Sequence, residues 1–165
     1  MKVQAVKKSN AFADTRSLTF SAIVIALYVV IMFFTQSFAF GQYQVRIATS
    51  LYALAAINPV LIIPLGAANF LSNTILGGLG PMDMIGGFMV GIFTAAGCRY
   101  ARKVHLLLVA LPIMAIPTLM VPLWLSPLIN VPYGILAVSI GVGQVIPGMV
   151  GVLMVKYLEG PLSDR

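Results

Sequence analysis

Asp83 is the one acid set between apolar runs in this sequence; Asp14, Glu159 and Asp164 lie in the terminal segments, where water hydrates a carboxylate freely. A carboxylate at the edge of hydrocarbon is costly enough that a functional role is its default reading. It can accept two N–H hydrogen bonds from a planar ligand. It can equally serve the helix that Pro81 opens, by accepting from free backbone N–H groups, and the residues leave both roles open. Arg46, Thr49, Asn73, Trp124, Tyr133 and Gln144 complete a polar and aromatic set biased to one half of the apolar region. These types suit hydrogen bonding and stacking on a small molecule. They do not suit covalent chemistry. The chain has no G-x-x-x-x-G-K-[ST] phosphate loop, no GxSxG elbow and no paired intramembrane acids, and His105 and Cys98 have no partners at metal-ligand spacing. The set therefore reads as a binding pocket without a motor: not an enzyme, with no catalytic residue, no metal and no cofactor expected.

The elements that must position these residues are membrane helices. Of 165 residues, 60% are apolar and only 8% charged, far from the globular norm. The net charge of +6 comes from 10 basic against 4 acidic residues, and the basic ones cluster at the ends of apolar runs. They read as orientation signals rather than a nucleic-acid surface. Cys98 is the single cysteine, so an internal disulfide is excluded.

The first apolar run, 17–40, follows Lys2, Lys7 and Lys8 as a secretory signal would, but it is a full bilayer crossing and is expected to be a retained first helix. Ala22 and Ala26 sit on one of its faces at i, i+4, where another helix can approach closely. Gly41–Arg46 is a short polar loop. From Ile47 to Leu79 the chain is apolar for about 33 residues; as one helix it would be ~50 Å long against a hydrocarbon core of ~30 Å. Asn58-Pro59, Pro64 and Gly66 are expected to break it into spans near 47–63 and 66–79. A fourth span near 83–100 carries Gly87, Gly91 and Ala95 at steps of four, favouring internal packing. The fifth, ending near Trp124, contains Pro112, Pro117 and Pro122, which imply kinks or breaks. Leu125–Pro132 reads as an outer loop flanked by Trp124 and Tyr133 as interfacial anchors. The sixth span, 133–156, places Gln144 near its middle, hydrogen-bonded to a ligand or to a neighbouring helix.

The fold class expected is thus an all-α integral membrane protein with six transmembrane helices: residues 1–16 a cytoplasmic segment, 17–157 the membrane domain, 158–165 a cytoplasmic tail. Six spans leave every basic residue except Arg46 on the cytoplasmic side, whereas five would invert the positive-inside pattern. Both termini are then cytoplasmic and the chain is a multi-pass protein of the cell membrane.

Four stretches, YQVRIATSLY, GGLGPMDMIGG, LPIMAIPTLMVPLWLSPLINVPY and SIGVGQ, in this order and spacing, resemble the substrate-binding S components of energy-coupling factor transporters, and among them the QueT-type queuosine-precursor family. The resemblance runs from Gln44 to Glu159. It implies six helices around one outward-facing cavity, with a 7-deazaguanine such as 7-cyano-7-deazaguanine as substrate. It also implies that Ala22 and Ala26 match the small-residue motif pressed against a coupling transmembrane subunit, which joins two ATPase subunits. Asp83 would then read the amidine edge of the base, Gln144 and Asn73 would add amide contacts, and Trp124 or Tyr133 would stack. Where family members carry glutamates after the arginine of span two and after the glycine of span six, this chain has Ala48, Thr49 and Gln144. The loss of two acids disfavours a cationic ligand, so a neutral base is expected over the aminomethyl cation. An S component for another vitamin, an autonomous small carrier and a packing protein are the competing functions.

Overall fold

The computed structural model describes residues 15–39, 43–76 and 78–163. Lys2, Lys7, Lys8 and Arg165, and the Gly41-Gln42 part of the first polar loop, lie outside them. Every regular element among the described residues is helical. Helix α1 spans Thr15–Ala39, α2 Leu54–Ile57, α3 Ile62–Ile75, α4 Pro81–Val104, α5 Ala110–Ile129, α6 Tyr133–Gly143 and α7 Val145–Ser163. Short 3₁₀ segments lead into three of them: Ile47–Ala53 before α2, Pro59–Leu61 before α3 and Leu106–Val109 before α5.

Four helical stretches are long and apolar enough to cross a membrane: Thr15–Ala39, Pro81–Val104, Leu106–Ile129 and Tyr133–Gly160. Ile47–Ile57 and Pro59–Ile75 are apolar but shorter. In α1 the buried residues Ser21, Val24, Tyr28 and Met32 follow one helical face, while Leu18, Ile23, Leu27 and Phe34 are exposed on the others. A helix apolar all round, buried on one face only, is what lipid on the remaining faces requires. Ala22 and Ala26 lie on the exposed side.

The apolar stretch after the first loop breaks once, at Asn58-Pro59. Asn58 is extended, at φ −123° and ψ 104°, because a following proline disfavours the helical region. Its side chain accepts from the Val60 N–H at 3.1 Å, and Arg99 Nη1 donates to the Ala56 carbonyl at 2.8 Å, so the broken backbone is satisfied inside the protein as an apolar surrounding demands. Pro64 and Gly66, expected to contribute to the break, instead lie within α3. Pro64 falls in the first turn, where a missing N–H removes no intrahelical bond. Gly66 serves the crossing with α4: a Cβ on Gly91 would stand 2.8 Å from the Gly66 Cα, so the two backbones touch as small residues allow.

Helix α5 runs unbroken past Pro117, Pro122 and Pro127 to Ile129. Of the kinks or breaks expected from the prolines, no break occurs. One expectation is corrected: Leu125–Ile129 are helical rather than part of a loop. The turn comes at Asn130, in the left-handed region at φ 55°, where asparagine is a common helix stop. The last span is interrupted at Gln144, between α6 and α7. Pro147 cannot donate to the Gly143 carbonyl, and a Cβ on Gly143 would overlap the Tyr43 carbonyl. The missing side chain at Gly143 therefore admits Tyr43 of the loop that precedes residue 47. Helix α7 continues to Ser163, through most of the stretch read as a tail.

These elements give the molecule two polar ends. At one, Arg46, Asn73, Asp83 and Gln144 come together. At the other, Arg99 meets the end of α2 and Arg102 pairs with Glu159 at 2.6 Å, joining α4 to α7.

Candidate functional site

Asp83 sits in the first turn of α4, two residues after Pro81, and is 5% exposed. Gly80 supplies the φ of 97° at which the chain enters that helix, a region glycine occupies without strain. Asp83 Oδ1 accepts from the Trp124 indole N–H at 3.0 Å and Oδ2 from the Leu79 N–H at 3.4 Å. The carboxylate thus ties down the turn before the helix rather than the helix's own first N–H groups. A carboxylate offers about four acceptor positions, so two are left.

Trp124 corrects the reading of it as an interfacial anchor. It is 9% exposed, its N–H is held by Asp83, and its ring lies over Gly86, where a Cβ would come within 2.6 Å of ring carbons. The glycine is what lets the indole reach the acid. Tyr133 is not drawn in: it is half-exposed, and its hydroxyl donates to the Leu119 carbonyl at 2.8 Å.

Arg46 is 8% exposed at the end of the first loop. Its Nη1 donates to Asn69 Oδ1 at 3.4 Å and to Asn73 Oδ1 at 3.3 Å. The two amides stand one turn apart on α3, and their nitrogens face α4: Asn69 Nδ2 donates to the Gly87 carbonyl at 2.8 Å and Asn73 Nδ2 to the Asp83 carbonyl at 3.0 Å. Gly87 keeps this approach open, since a Cβ there would stand 2.7 Å from Asn73 Nδ2. On the facing side the Thr49 hydroxyl lies 2.7 Å from the Arg46 carbonyl and 2.9 Å from Gln144 Oε1. Its single proton serves one of them at a time. Gln144 Nε2 donates to the Gln44 carbonyl at 3.4 Å, and Gln44 itself is left-handed at φ 44°.

One cavity joins these groups. Gln44, Arg46, Thr49, Asn69, Asn73, Asp83, Trp124 and Gln144 line it with Gly87, Val90, Pro117, Val121 and Ile140. The space between its walls, mouth included, is about 350 Å³, but a water's centre has only about 20 Å³ to move in, room for about one molecule. The cavity thus holds one buried cation, one buried acid and five amide or hydroxyl side chains, against an aromatic and aliphatic wall. Sequence reasoning missed Asn69 and Gln44. Asn69 was visible as the i−4 neighbour of Asn73 inside an apolar run; Gln44 carried no signal. Among the described residues no group of His, Cys, Asp and Glu could hold a metal ion.

A family model described as QueT transporter matches residues 18–160. The chain belongs to the QueT transporter family. As a family member it is a membrane transport protein for a small substrate, and the match covers all the helices that line the cavity. No curated protein and no solved structure matches it.

Proposed function

We propose that this QueT-family protein is the substrate-binding membrane subunit of an energy-coupling factor importer, and that its ligand is a 7-deazaguanine queuosine precursor, bound neutral. The observation that carries the reading is the joint placement of Asp83 and Arg46 on one buried cavity. A guanine-like base has a donor edge, which the two remaining acceptor positions of Asp83 can take, and a carbonyl edge, which suits guanidinium or amide donors. Asn73, Gln144 and Thr49 supply shorter-range selection, and Trp124 forms the flat wall. The cavity has water-sized room, so a bicyclic base enters only as the loop before residue 47 and the Trp124 side of α5 move apart. One acid balanced by one arginine has no surplus negative charge for a cationic ligand, which favours the nitrile over the aminomethyl compound.

The two polar ends of the fold support six crossings. The chain reaches the cavity end at Arg46, Asn73–Asp83 and Asn130–Tyr133, and the opposite end at Ala56–Asn58, Arg102–His105 and Glu159. With the basic residues of the second end cytoplasmic, the cavity opens outward, both termini are cytoplasmic and the protein sits in the cell membrane. The exposed Ala22 and Ala26 form the flat patch proposed to meet the coupling subunit, which brings two ATPases.

The deciding experiment is mass spectrometry of small molecules released by denaturing the purified protein, followed by titration with 7-cyano- and 7-aminomethyl-7-deazaguanine. Release of a deazaguanine, and tighter binding of the nitrile, are expected. A different vitamin would keep the transport role and discard the substrate. Tighter binding of the amine would overturn the neutral-ligand reading. Substrate accumulation in liposomes holding this chain alone would show an autonomous carrier instead.

A further inference from the structure

Asn69 is only 2% exposed, set between Ala68 and Phe70 in the apolar middle of α3. A buried amide costs free energy unless it is bonded, and this one is bonded at both ends. Its Oδ1 accepts from Arg46 Nη1 at 3.4 Å and its Nδ2 donates to the Gly87 carbonyl at 2.8 Å. Asn73, one turn along the same face, repeats the pattern: Oδ1 accepts from the same Nη1 at 3.3 Å and Nδ2 donates to the Asp83 carbonyl at 3.0 Å. Asp83 and Gly87 are likewise one turn apart on α4. Two amides of one helix thus stand on two carbonyls of the next and offer both their oxygens to one guanidinium nitrogen. A Cβ on Gly87 would come within 3.3 Å of Asn69 Oδ1 and 2.7 Å of Asn73 Nδ2, so that glycine leaves room for both amides at once.

We infer that Asn69 is a positioning residue: it holds the Arg46 guanidinium as the reader of a ligand's carbonyl edge, and through Arg46 it sets which bases the cavity accepts. The ligand half of this inference rests on the base-binding role proposed above. The two ends of an asparagine amide are nearly equal in size, so its orientation is decided by its partners. With the Gly87 carbonyl on the nitrogen side, the Asn69 oxygen is committed to Arg46. A flipped amide would set oxygen against the Gly87 carbonyl and N–H against the guanidinium, repelled at both ends. The two bonds to Arg46 are long, so the cation depends on both amides. A guanidinium is planar and carries donors only, and two oxygens on one nitrogen fix how that plane meets the cavity wall. A base with a carbonyl there sets acceptor to donor. One with an amino group in its place sets N–H against N–H, and a specific site gains from such a clash. An Arg46 released from Asn69 can turn away from the clash, so the discrimination between the two bases falls.

The first arm of the test needs no ligand. The purified full-length protein, Asn69→Leu and Asn69→Asp are treated with phenylglyoxal, and modification of Arg46 and Arg99 is followed peptide by peptide by mass spectrometry. Arg99 is the internal reference, because it is held by the Ala56 carbonyl at the other end of the molecule. Asn69→Leu is expected to label Arg46 several-fold faster with Arg99 unchanged. Asn69→Asp loses the bond to Gly87 but keeps an oxygen toward Arg46, so it should label Arg46 no faster than the parent. A merely structural amide would make the aspartate at least as damaging as the leucine. Equal Arg46 labelling in Asn69→Leu and the parent overturns the role; so does equal acceleration in both variants, or a parallel rise at Arg46 and Arg99. The second arm compares 7-cyano-7-deazaguanine with its analogue bearing an amino group in place of the ring carbonyl, read by the fluorescence of Trp124, the single tryptophan. The exchange also alters the edge that Asp83 takes, equally in parent and variant, so the change in preference is what is read. Asn69→Leu should narrow the parent's preference for the carbonyl form about 3–10-fold, and an unchanged preference overturns the specificity role. Absence of binding by the parent removes the proposed ligand and leaves the labelling comparison to decide Asn69.

Discussion

Asp83 stands on a buried turn with one oxygen on Trp124 and the other on Leu79, so its charge is held in place before any ligand arrives. Asp83→Asn keeps the shape but removes the charge-assisted bonds, each worth about 1.5–3 kcal/mol. Deazaguanine affinity is expected to fall roughly 10–100-fold by calorimetric titration; a change under about twofold would remove Asp83 from the ligand's contacts. Trp124→Phe keeps a ring near Gly86 but leaves Oδ1 without its donor, and a thermal melt should show a loss of about 1–3 kcal/mol. Asp83 was legible because an acid in an apolar sequence is rare and costly. That Trp124 would be its partner, and Tyr133 not, was illegible: both sit at the rim of apolar runs, and only the packing of α5 over Gly86 separates them.

The helices were legible as apolar runs, their ends less so. Proline carried most of the expected breaks, yet its effect depends on position: Pro64 is harmless in a first turn, Pro117, Pro122 and Pro127 are carried within α5, and only Pro59 and Pro147 mark interruptions. Each interruption coincides with a contact made by a distant residue, Arg99 at Ala56 and Tyr43 at Gly143. The glycine spacing of α4 marked close packing, and the structure supplies its partner, α3. Gly91→Ala places a Cβ 2.8 Å from the Gly66 Cα, so the helices must separate; a thermal melt should report a loss of about 1–3 kcal/mol. Gly134→Ala, where a Cβ meets nothing within 4 Å, serves as the control and should not destabilise. Equal melting of the two variants would deny that the α3–α4 crossing needs its glycines.

Across the whole molecule polar side chains gather at the cavity end and at the basic end, with exposed apolar surface between them. This arrangement makes a topological prediction. In a Cys98→Ser background, free of other cysteines, Tyr43→Cys should react with an impermeant thiol reagent added outside the cell and Tyr157→Cys only after the membrane is opened; both positions are exposed, at 54% and 69%. Labelling of the two from the same side would overturn the six-crossing scheme. The proposed orientation rests on the positive-inside pattern, because lipid headgroups and membrane potential act on charge counts that need no fold.

Composition and the order of apolar runs determined by themselves that this is a helical membrane protein, because hydrocarbon demands apolar side chains and internally bonded backbone over a set length. They also singled out Asp83 with Arg46, Thr49, Asn73 and Gln144, since each such group in an apolar run is costly and therefore informative. Tertiary structure alone decided which of those groups meet. Arg46 reaches amides 23 and 27 residues away, and Thr49 an amide 95 residues away; Asn69 and Gln44 join the cavity through the same packing. Such pairings depend on which small residues let two backbones touch, and that is settled between helices rather than within any one of them.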